Sequence, residues 1–511
     1  MSTSAKRLTH KSLIFLHKWL GVMLALLFLF WFVSGVVLYF VPFPGLSQTE
    51  RLTGLAPLNL PKGCCLTADQ ASNSAGLKVS DARLGMHDGK PVWRLLGKPL
   101  GDSEAAPQWR AVDAQTGQIL PALSADAARK VAETFSGKKA VRSELLERDQ
   151  WTVPQGLNPY RPLQRVQMEG PQGLELYVSP GSAEVIRDTR RAERFWNWLG
   201  AVPHWIYFTE LRRYPNAWHN VVVWLSIPGV ILAVTGIVLG TWHLFINRTR
   251  WIPYRQWWMR WHHITGLVAA IVTLTWIFSG LLSMNPFKVF SPRLALHSEH
   301  VQWLGSKTAV VLLPSQALAS SGLPDIREID IVQVAGQSWY RLWGVKGQTL
   351  VRADKPSSSI APEVLNALPD ETIQASLLGL RPDASAEGTV TLAKLSAYDD
   401  QYYARVVTDN TRYVRPLPVW RAEWADGVAM YADPTSGKLL LRVDDTNRWQ
   451  RVLYNGLHSF DFAPLLARPL LRDALILIFS ILGTALCVTS CVIAWRVLMP
   501  SKRRLAKVQP R

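Results

Sequence analysis

Cysteine is scarce, with four residues in a chain of 511. None stands in a CxxC or CxxCH arrangement, so neither a structural zinc site nor a covalently attached c-type haem is supported. Cys64 and Cys65 are neighbours, a spacing that rarely closes into an unstrained disulfide. Cys487 and Cys491 lie one helical turn apart in an apolar run and read as packing residues. GxGxxG, Walker A and HExxH motifs are also missing, which leaves no sign of a nicotinamide, flavin, nucleotide or zinc-peptidase site. Charge is absent from four long stretches: 19–41, 221–246, 264–287 and 474–495 contain no Asp, Glu, Lys or Arg. About 20 apolar residues cross a hydrocarbon core as a helix, so each stretch is long enough to span. The first is too long for a cleaved signal peptide, and "VSGVVLYFVPFPG" is a poor cleavage site.

Acid is missing from three short segments that are rich in base. They hold Lys6, Arg7 and Lys11; Arg248, Arg250, Arg255 and Arg260; and Lys502, Arg503, Arg504, Lys507 and Arg511. Without these and the flanking Lys18 and Arg496, the formal net charge of +18 nearly vanishes. The excess is therefore the positive-inside pattern of a membrane protein and not a nucleic-acid footprint. It predicts a cytoplasmic N-terminus (1–12), loop (247–261) and tail (499–511). The spans are 13–41, 217–246, 262–287 and 472–498, and the long segments 42–215 and 288–470 lie on the periplasmic side. Both termini then face the cytoplasm of a bacterial inner membrane, and membrane lipid is the first partner.

The sequence also repeats. Shifted by 245, His17 falls on His262, Gly21 on Gly266, Trp31 on Trp276 and Ser34-Gly35 on Ser279-Gly280. Shifted by 254, Arg161-Pro162-Leu163 falls on Arg415-Pro416-Leu417, His204 on His458, Ser226 on Ser480 and Gly229 on Gly483. The register fails at His219, which falls on Asp473. Each half reads as helix, external domain, helix, a parallel internal duplication about an axis near the membrane normal. In the external parts, "PVWRLLG" and "QSWYRLWGVKG" alternate like strands. "WRAVDAQTGQIL", "ELYVSPGSAEVIRDTRR" and "MYADPTSGKLLLR" read as strand, turn, strand. "SADAARKVAETF" and "PEVLNALPD" carry helical spacing.

Hairpins built on "DAQTG" and "DPTSG", with "HKWLG…WFVSG" and "WNWLGAVPHW" at the membrane, resemble the PepSY-associated transmembrane family over essentially the whole chain. The resemblance implies an α-helical four-span bundle with two periplasmic α+β PepSY-like domains. It also implies a link to bacterial iron uptake, since some members are similar to siderophore reductases that carry b-type haem.

Histidines in or beside membrane helices are functional candidates, and neutral imidazole is a common haem ligand. His17 and His262 each precede a glycine by four residues, on one helical face, where a missing Cβ would make room for a macrocycle. His204 and His458 form a second pair, about a dozen residues before the second span of each half, in aromatic surroundings that suit an interface. His219, His243 and His263 lack a histidine counterpart and are weaker candidates. His10, His87, His297 and His300 read as solvated surface residues. Trp31 and Trp276 are candidates to pack on a porphyrin. The Ser34-Gly35 and Ser279-Gly280 pairs read chiefly as helix-packing residues.

The expected function is a di-haem b-type ferric siderophore reductase. An unidentified cytoplasmic or quinol donor supplies electrons, which cross from the His17/His262 side to a periplasmic ferric siderophore near "WNWLGAVPHW" and "YNGLHSFDF". Arg212, Arg213 and Arg468 form a basic rim there. The alternatives are a non-redox PepSY protein that regulates a peptidase or envelope partner, and a transporter.

Overall fold

The computed structural model describes residues 3–246, 252–306, 308–355, 362–404 and 415–499. Arg248, Arg250 and the basic tail from Lys502 lie outside the described residues. Among those described, four helices are long and apolar enough to cross a membrane: Arg7–Phe40, Pro215–Phe245, Trp257–Ser283 and Pro469–Leu498. Helix is the form that satisfies every backbone group of such a run internally, and the second helix carries Pro228 without breaking. The helices pack by letting large side chains into glycine notches. A methyl on Gly483 would overlap Phe32, and one on Gly229 would stand 3.0 Å from Ile277 and 3.2 Å from Phe28. Leu24, Phe28, Phe32, Ile277 and Cys487 form the core of the bundle, which gives Cys487 the packing role expected of it.

The segment between the first two long helices carries β1 (Leu77–His87), β2 (Lys90–Pro99) and β3 (Gln108–Asp113). β4 (Ala140–Leu146), β5 (Leu163–Met168), β6 (Glu175–Ser179) and β7 (Glu184–Thr189) follow. The segment between the last two carries β8 (Ile326–Val334), β9 (Gln337–Gly344), β10 (Gly347–Arg352) and β11 (Val364–Leu365). It continues with β12 (Thr391–Leu395), β13 (Val419–Glu423), β14 (Ala429–Asp433) and β15 (Lys438–Val443). β4–β7 and β12–β15 each form a four-stranded antiparallel sheet.

The remaining strands do not stay in two domains. They join in one seven-stranded sheet of order β11-β10-β9-β8-β1-β2-β3. The seam is the antiparallel pair β1–β8, with Arg83 opposite Asp330 and Leu84 opposite Ile329. Leu84, Trp93 and Leu95 share one core with Ile329, Tyr340 and Leu342. Beside the seam Glu328 accepts a two-pronged bond from Arg51, at 2.6 and 2.7 Å, and Arg83 pairs with Glu184 at 2.9 Å. Burial raises the Glu328 carboxyl, but Arg51, Arg83 and Arg94 outweigh it and hold the pKa below the usual carboxylate range.

Local expectations fare unevenly. In the "DPTSG" turn, Asp433 Oδ1 accepts the Thr435 N–H at 2.9 Å, and Gly437 takes φ 63°, the left-handed conformation glycine adopts at no steric cost. In the "DAQTG" turn, Asp113 Oδ1 likewise accepts from Gln115 and Thr116. The second strand of that hairpin shrinks to a single bridge, Val112–Ile119. "SADAARKVAETF" is helical from Ala125 to Ser136, capped by Ser124. "PEVLNALPD" is not: Val364 pairs with Val351 as an edge strand, and helix starts only at Asp370, behind Pro369. Cys64 and Cys65, expected to remain apart, are joined by a disulfide.

Two short stretches bring the chain back to the bundle. After β7, the helices Arg191–Leu199 and Ala201–His204 lead to the second long helix. After β15 come a helix over Asp445–Gln450, a π-helical turn over Arg451–Gly456 and a last turn over Leu457–Ser459.

Candidate functional site

His17 lies well inside the first long helix and leans on the second. Its Nδ1–H donates to the Leu232 carbonyl at 3.2 Å, with Thr235 Oγ1 also at 3.2 Å. The ring sits in a notch floored by glycine, since a Cβ on Gly236 would stand 2.9 Å from its Cε1. His262 leans in the same way from the third long helix to the fourth. Its Nδ1 is 3.4 Å from Thr489 Oγ1 and 3.3 Å from Ser490 Oγ. The two rings face each other with centres 6.3 Å apart and planes 47° apart.

His204 and His458 make the second pair, with ring centres 6.1 Å apart and planes at 57°. The His204 Nδ1–H donates to the Trp31 carbonyl at 3.2 Å, and Ser34 Oγ lies at 3.3 Å. Nδ1 of His458 lies 3.0 Å from Ser279 Oγ. A Cβ on Gly35 would come within 3.1 Å of His204 Cε1, and one on Gly280 within 3.7 Å of His458 Cε1. The chain turns sharply after each histidine. Ile206 has φ 51° and Phe460 φ 53°, a region that branched and bulky residues seldom enter and that often marks functional sites. His204 stands outside the four spans. Burial pushes its pKa down to about 4, against the smaller upward pull of the Trp31 carbonyl, so the ring is neutral at physiological pH.

Carbonyl oxygens only accept, so Nδ1 carries the proton in His17 and His204. The lone pair is then on Nε2, the tautomer a metal-binding imidazole needs. Two metal–imidazole bonds of about 2 Å, with the depth of each ring added, require ring centres roughly 6 Å apart. Both pairs meet that spacing. Each pair offers two nitrogens, which suits an axially ligated metal whose other ligands come from a porphyrin. Among the described residues, no group of three or more His, Cys, Asp or Glu side chains is placed to hold a bare metal ion.

A cavity of about 770 Å³ opens beside the second pair, within the range of cofactor sites. His204, His458, Trp31 and Trp276 line it, together with Arg293 and Arg415. Nε and Nη2 of Arg293 and Nη1 of Arg415 are buried there without a hydrogen-bond partner among the described residues. Between the two pairs the bundle is aromatic: Phe28 meets Trp31 at 5.9 Å, Phe32 meets Trp276 at 5.6 Å, and Trp276 meets Phe460 at 6.0 Å. Counted along the first helix from His17 to Ser34, the pairs are about 25 Å apart at 1.5 Å per residue.

The weaker candidates fall elsewhere. His219 is half-buried, does not line the cavity and has no ring or hydrogen-bond partner among the described residues. Asp473, which takes its place in the other half of the sequence, accepts the Tyr39 hydroxyl at 2.5 Å. His243 forms a separate cluster near the α-helical ends. Its Nε2 is 3.1 Å from Nε2 of His10, and its Nδ1 is 2.7 Å from the Tyr254 hydroxyl. His263 packs edge-on to Tyr254 at 5.5 Å. His10 is thus a ring partner and not the solvated residue expected.

The glycines singled out beforehand have ordinary surroundings. A Cβ on Gly21 would meet Leu232 at 3.9 Å, and one on Gly266 would meet Leu486 at 3.6 Å. The glycines that make room for imidazole are at 35 and 236. Ser34 and Ser279, read as packing residues, bond the second histidine pair. Arg293 carries no signal in the sequence, and Arg415 stands out there only as the start of the repeated Arg-Pro-Leu. Of the basic rim, Arg212 stacks on Trp218 at 4.4 Å, and Arg213 pairs with Glu210 at 3.7 Å.

A model of the PepSY-associated TM region matches residues 14–496, nearly the whole chain. No curated protein matches it.

Proposed function

The chain belongs to the PepSY-associated TM family, and from that premise we propose that it is an inner-membrane di-haem b-type ferric reductase. It moves electrons from the cytoplasmic side to a ferric siderophore or similar chelate in the periplasm. One observation carries the reading. Two imidazole pairs, at ring separations of 6.3 and 6.1 Å, stand at two levels of an apolar bundle.

Haem bound at each pair supplies one-electron redox chemistry; the protein's own residues do the rest. His17 with His262, and His204 with His458, would hold the two haems through their ring nitrogens. Leu232, Thr235, Trp31, Ser34 and Ser279 hold the rings by Nδ1, and the Leu232 and Trp31 carbonyls fix the tautomer of His17 and His204 with the lone pair on Nε2. Phe28, Phe32, Trp31 and Trp276 keep water out of the space between the pairs. The cavity beside His204 and His458 is lined in part by Arg293, Tyr403 and Arg415 of the second extramembrane segment, where a chelate too large for the bundle would approach. Reduction to Fe(II) weakens the hold of hard oxygen ligands and releases the iron.

The equivalence of the two pairs supports an origin by internal duplication. His17 leans on Thr235 and His262 on Thr489, threonines separated by the same 254 residues as His204 and His458. The acid-free basic segments support cytoplasmic termini. The donor is a quinol or a cytoplasmic reductant, and nucleic acid has no part.

The test is the absorption spectrum of the purified protein. A Soret band and sharp low-spin bands on dithionite reduction are expected. His17→Ala or His262→Ala should remove one centre, and His204→Ala or His458→Ala the other. Reduced protein, freed of dithionite, should be reoxidised by a ferric siderophore, with Fe(II) trapped by a ferrous chelator. A well-folded, colourless preparation from haem-replete cells rejects the reading and favours a regulatory membrane protein. Oxidation by quinones but by no ferric chelate makes it a quinone-linked cytochrome.

A further inference from the structure

The cavity beside His204 and His458 contains a charge that nothing among the described residues answers. Nε and Nη2 of Arg293 and Nη1 of Arg415 are buried and lack a hydrogen-bond partner among the described residues, and both side chains line the cavity. Leaving such donors unpaired is costly, more so for a charged group than a neutral one.

The groups around them do not relieve it. Burial lowers the Arg293 pKa, and the neighbouring guanidiniums of Arg415 and Arg451 push it the same way, against the opposite pull of Tyr403 and Tyr431. Arg451 is occupied: its Nε donates to the Asp400 carbonyl at 2.9 Å, and it stacks on Tyr403 at 4.1 Å. Asp461, the carboxylate bonded by Tyr403 at 3.1 Å, is engaged by Arg472 at 3.5 Å. Arg415 lies 5.0 Å from the Tyr402 ring, a contact that holds the side chain without using its N–H groups.

We propose that Arg293 and Arg415 bind the two propionate carboxylates of the haem held by His204 and His458. The inference rests on the haem reading above and deepens it by naming the groups that set the macrocycle's rotation about the axial nitrogens. Guanidinium suits the role because its planar fork pairs with carboxylate in two parallel bonds and stays charged when buried. Among the described residues, no buried arginine with unpartnered N–H groups stands at the His17/His262 pair, so the two sites differ in what they demand of the porphyrin edge.

The full-length protein in detergent is stripped of haem and titrated with protohaem or with its dimethyl ester, which lacks both negative charges. Wild type should take the ester at least tenfold more weakly at one of its two centres and lose little at the other. In the variant Arg293→Leu/Arg415→Leu, protohaem should bind that centre at least tenfold more weakly, and free acid and ester should no longer be distinguished. Arg293→Lys/Arg415→Lys should restore part of the difference. The remaining low-spin centre reports that the variants are folded. Equal uptake of acid and ester by wild type overturns the proposal. So does a leucine variant that keeps both haems at unchanged midpoint potentials, including one whose reoxidation by anionic ferric chelates alone is slowed, which would assign the arginines to the substrate. Wild-type protein that binds no haem at all removes the reading beneath as well.

Discussion

Replacing Gly236 by alanine adds a single methyl group at the point where the second long helix touches His17. Its Cβ would stand 2.9 Å from Cε1 of that ring, whereas nonbonded carbons rest about 3.5–4.0 Å apart. The imidazole must withdraw by roughly 0.6–1 Å, more than the about 0.5 Å a preorganised ligand tolerates. The fold is not at stake. Overpacking costs about 1–3 kcal/mol, and exchanging glycine for alanine inside a helix returns about 1 kcal/mol. The net loss is about 0–2 kcal/mol, small beside a typical stability of 5–15 kcal/mol. Gly21→Ala is the control, because its Cβ meets only Leu232 at 3.9 Å. We expect Gly236→Ala to lose or distort one of two low-spin centres while melting within a few degrees of wild type, and Gly21→Ala to keep both. Haem per protein, the reduced-minus-oxidised spectrum and a circular-dichroism melt decide the matter. If Gly236→Ala keeps both centres unaltered, His17 is not held where a ligand must be, and the assignment of the first pair fails.

Ser279→Ala removes a hydroxyl 3.0 Å from Nδ1 of His458. A lost hydrogen bond of about 1 kcal/mol makes the imidazole a poorer donor to ferric iron, so one haem potential should rise by about 40 mV, read by redox titration, with the other unmoved. Glu328→Ala leaves Arg51 buried without its carboxylate and should destabilise the extramembrane part by about 3–5 kcal/mol; a denaturant curve that matches wild type would contradict the role given to the seam. A periplasm-dependent reporter fused at Gln118 or Gly437 should be active, and one at Arg255 silent; the reverse pattern would invert the direction of electron flow.

The four spans and both main histidine pairs were legible because each leaves a mark along the chain: an uncharged run, and a residue recurring at a fixed shift. Hairpins with Asp at the turn's start and Gly at its end were legible for the same local reason. What escaped depends on contacts across the chain. Ser34-Gly35 repeats as clearly as any motif, yet whether a small polar residue bonds another side chain or packs a helix is decided by what lies opposite, here His204. Gly236 carries no repeat signal that separates it from the other helix glycines. Arg293 and Arg415 are 122 residues apart and acquire meaning only where the fold brings them to one cavity. Val364 follows its edge-strand pairing with Val351 against its helical spacing, because a short segment between prolines yields to its neighbour.

The β1–β8 seam means that the two extramembrane segments are not the leaves of a clamshell. Domains joined by small polar contacts swing freely, but here a hydrogen-bonded sheet, a common apolar core and buried Arg51–Glu328 would all have to part together. His204 and His458 do not hang from this plate but from the two four-stranded sheets, after β7 and β15, each by its own short lead into the bundle. Each ring is anchored by the bundle itself, His204 by Trp31 and Ser34 and His458 by Ser279. With the plate held as one piece, a ligand too large for the existing opening would have to displace the short leads over 191–204 and 445–459, which join the sheets to the bundle.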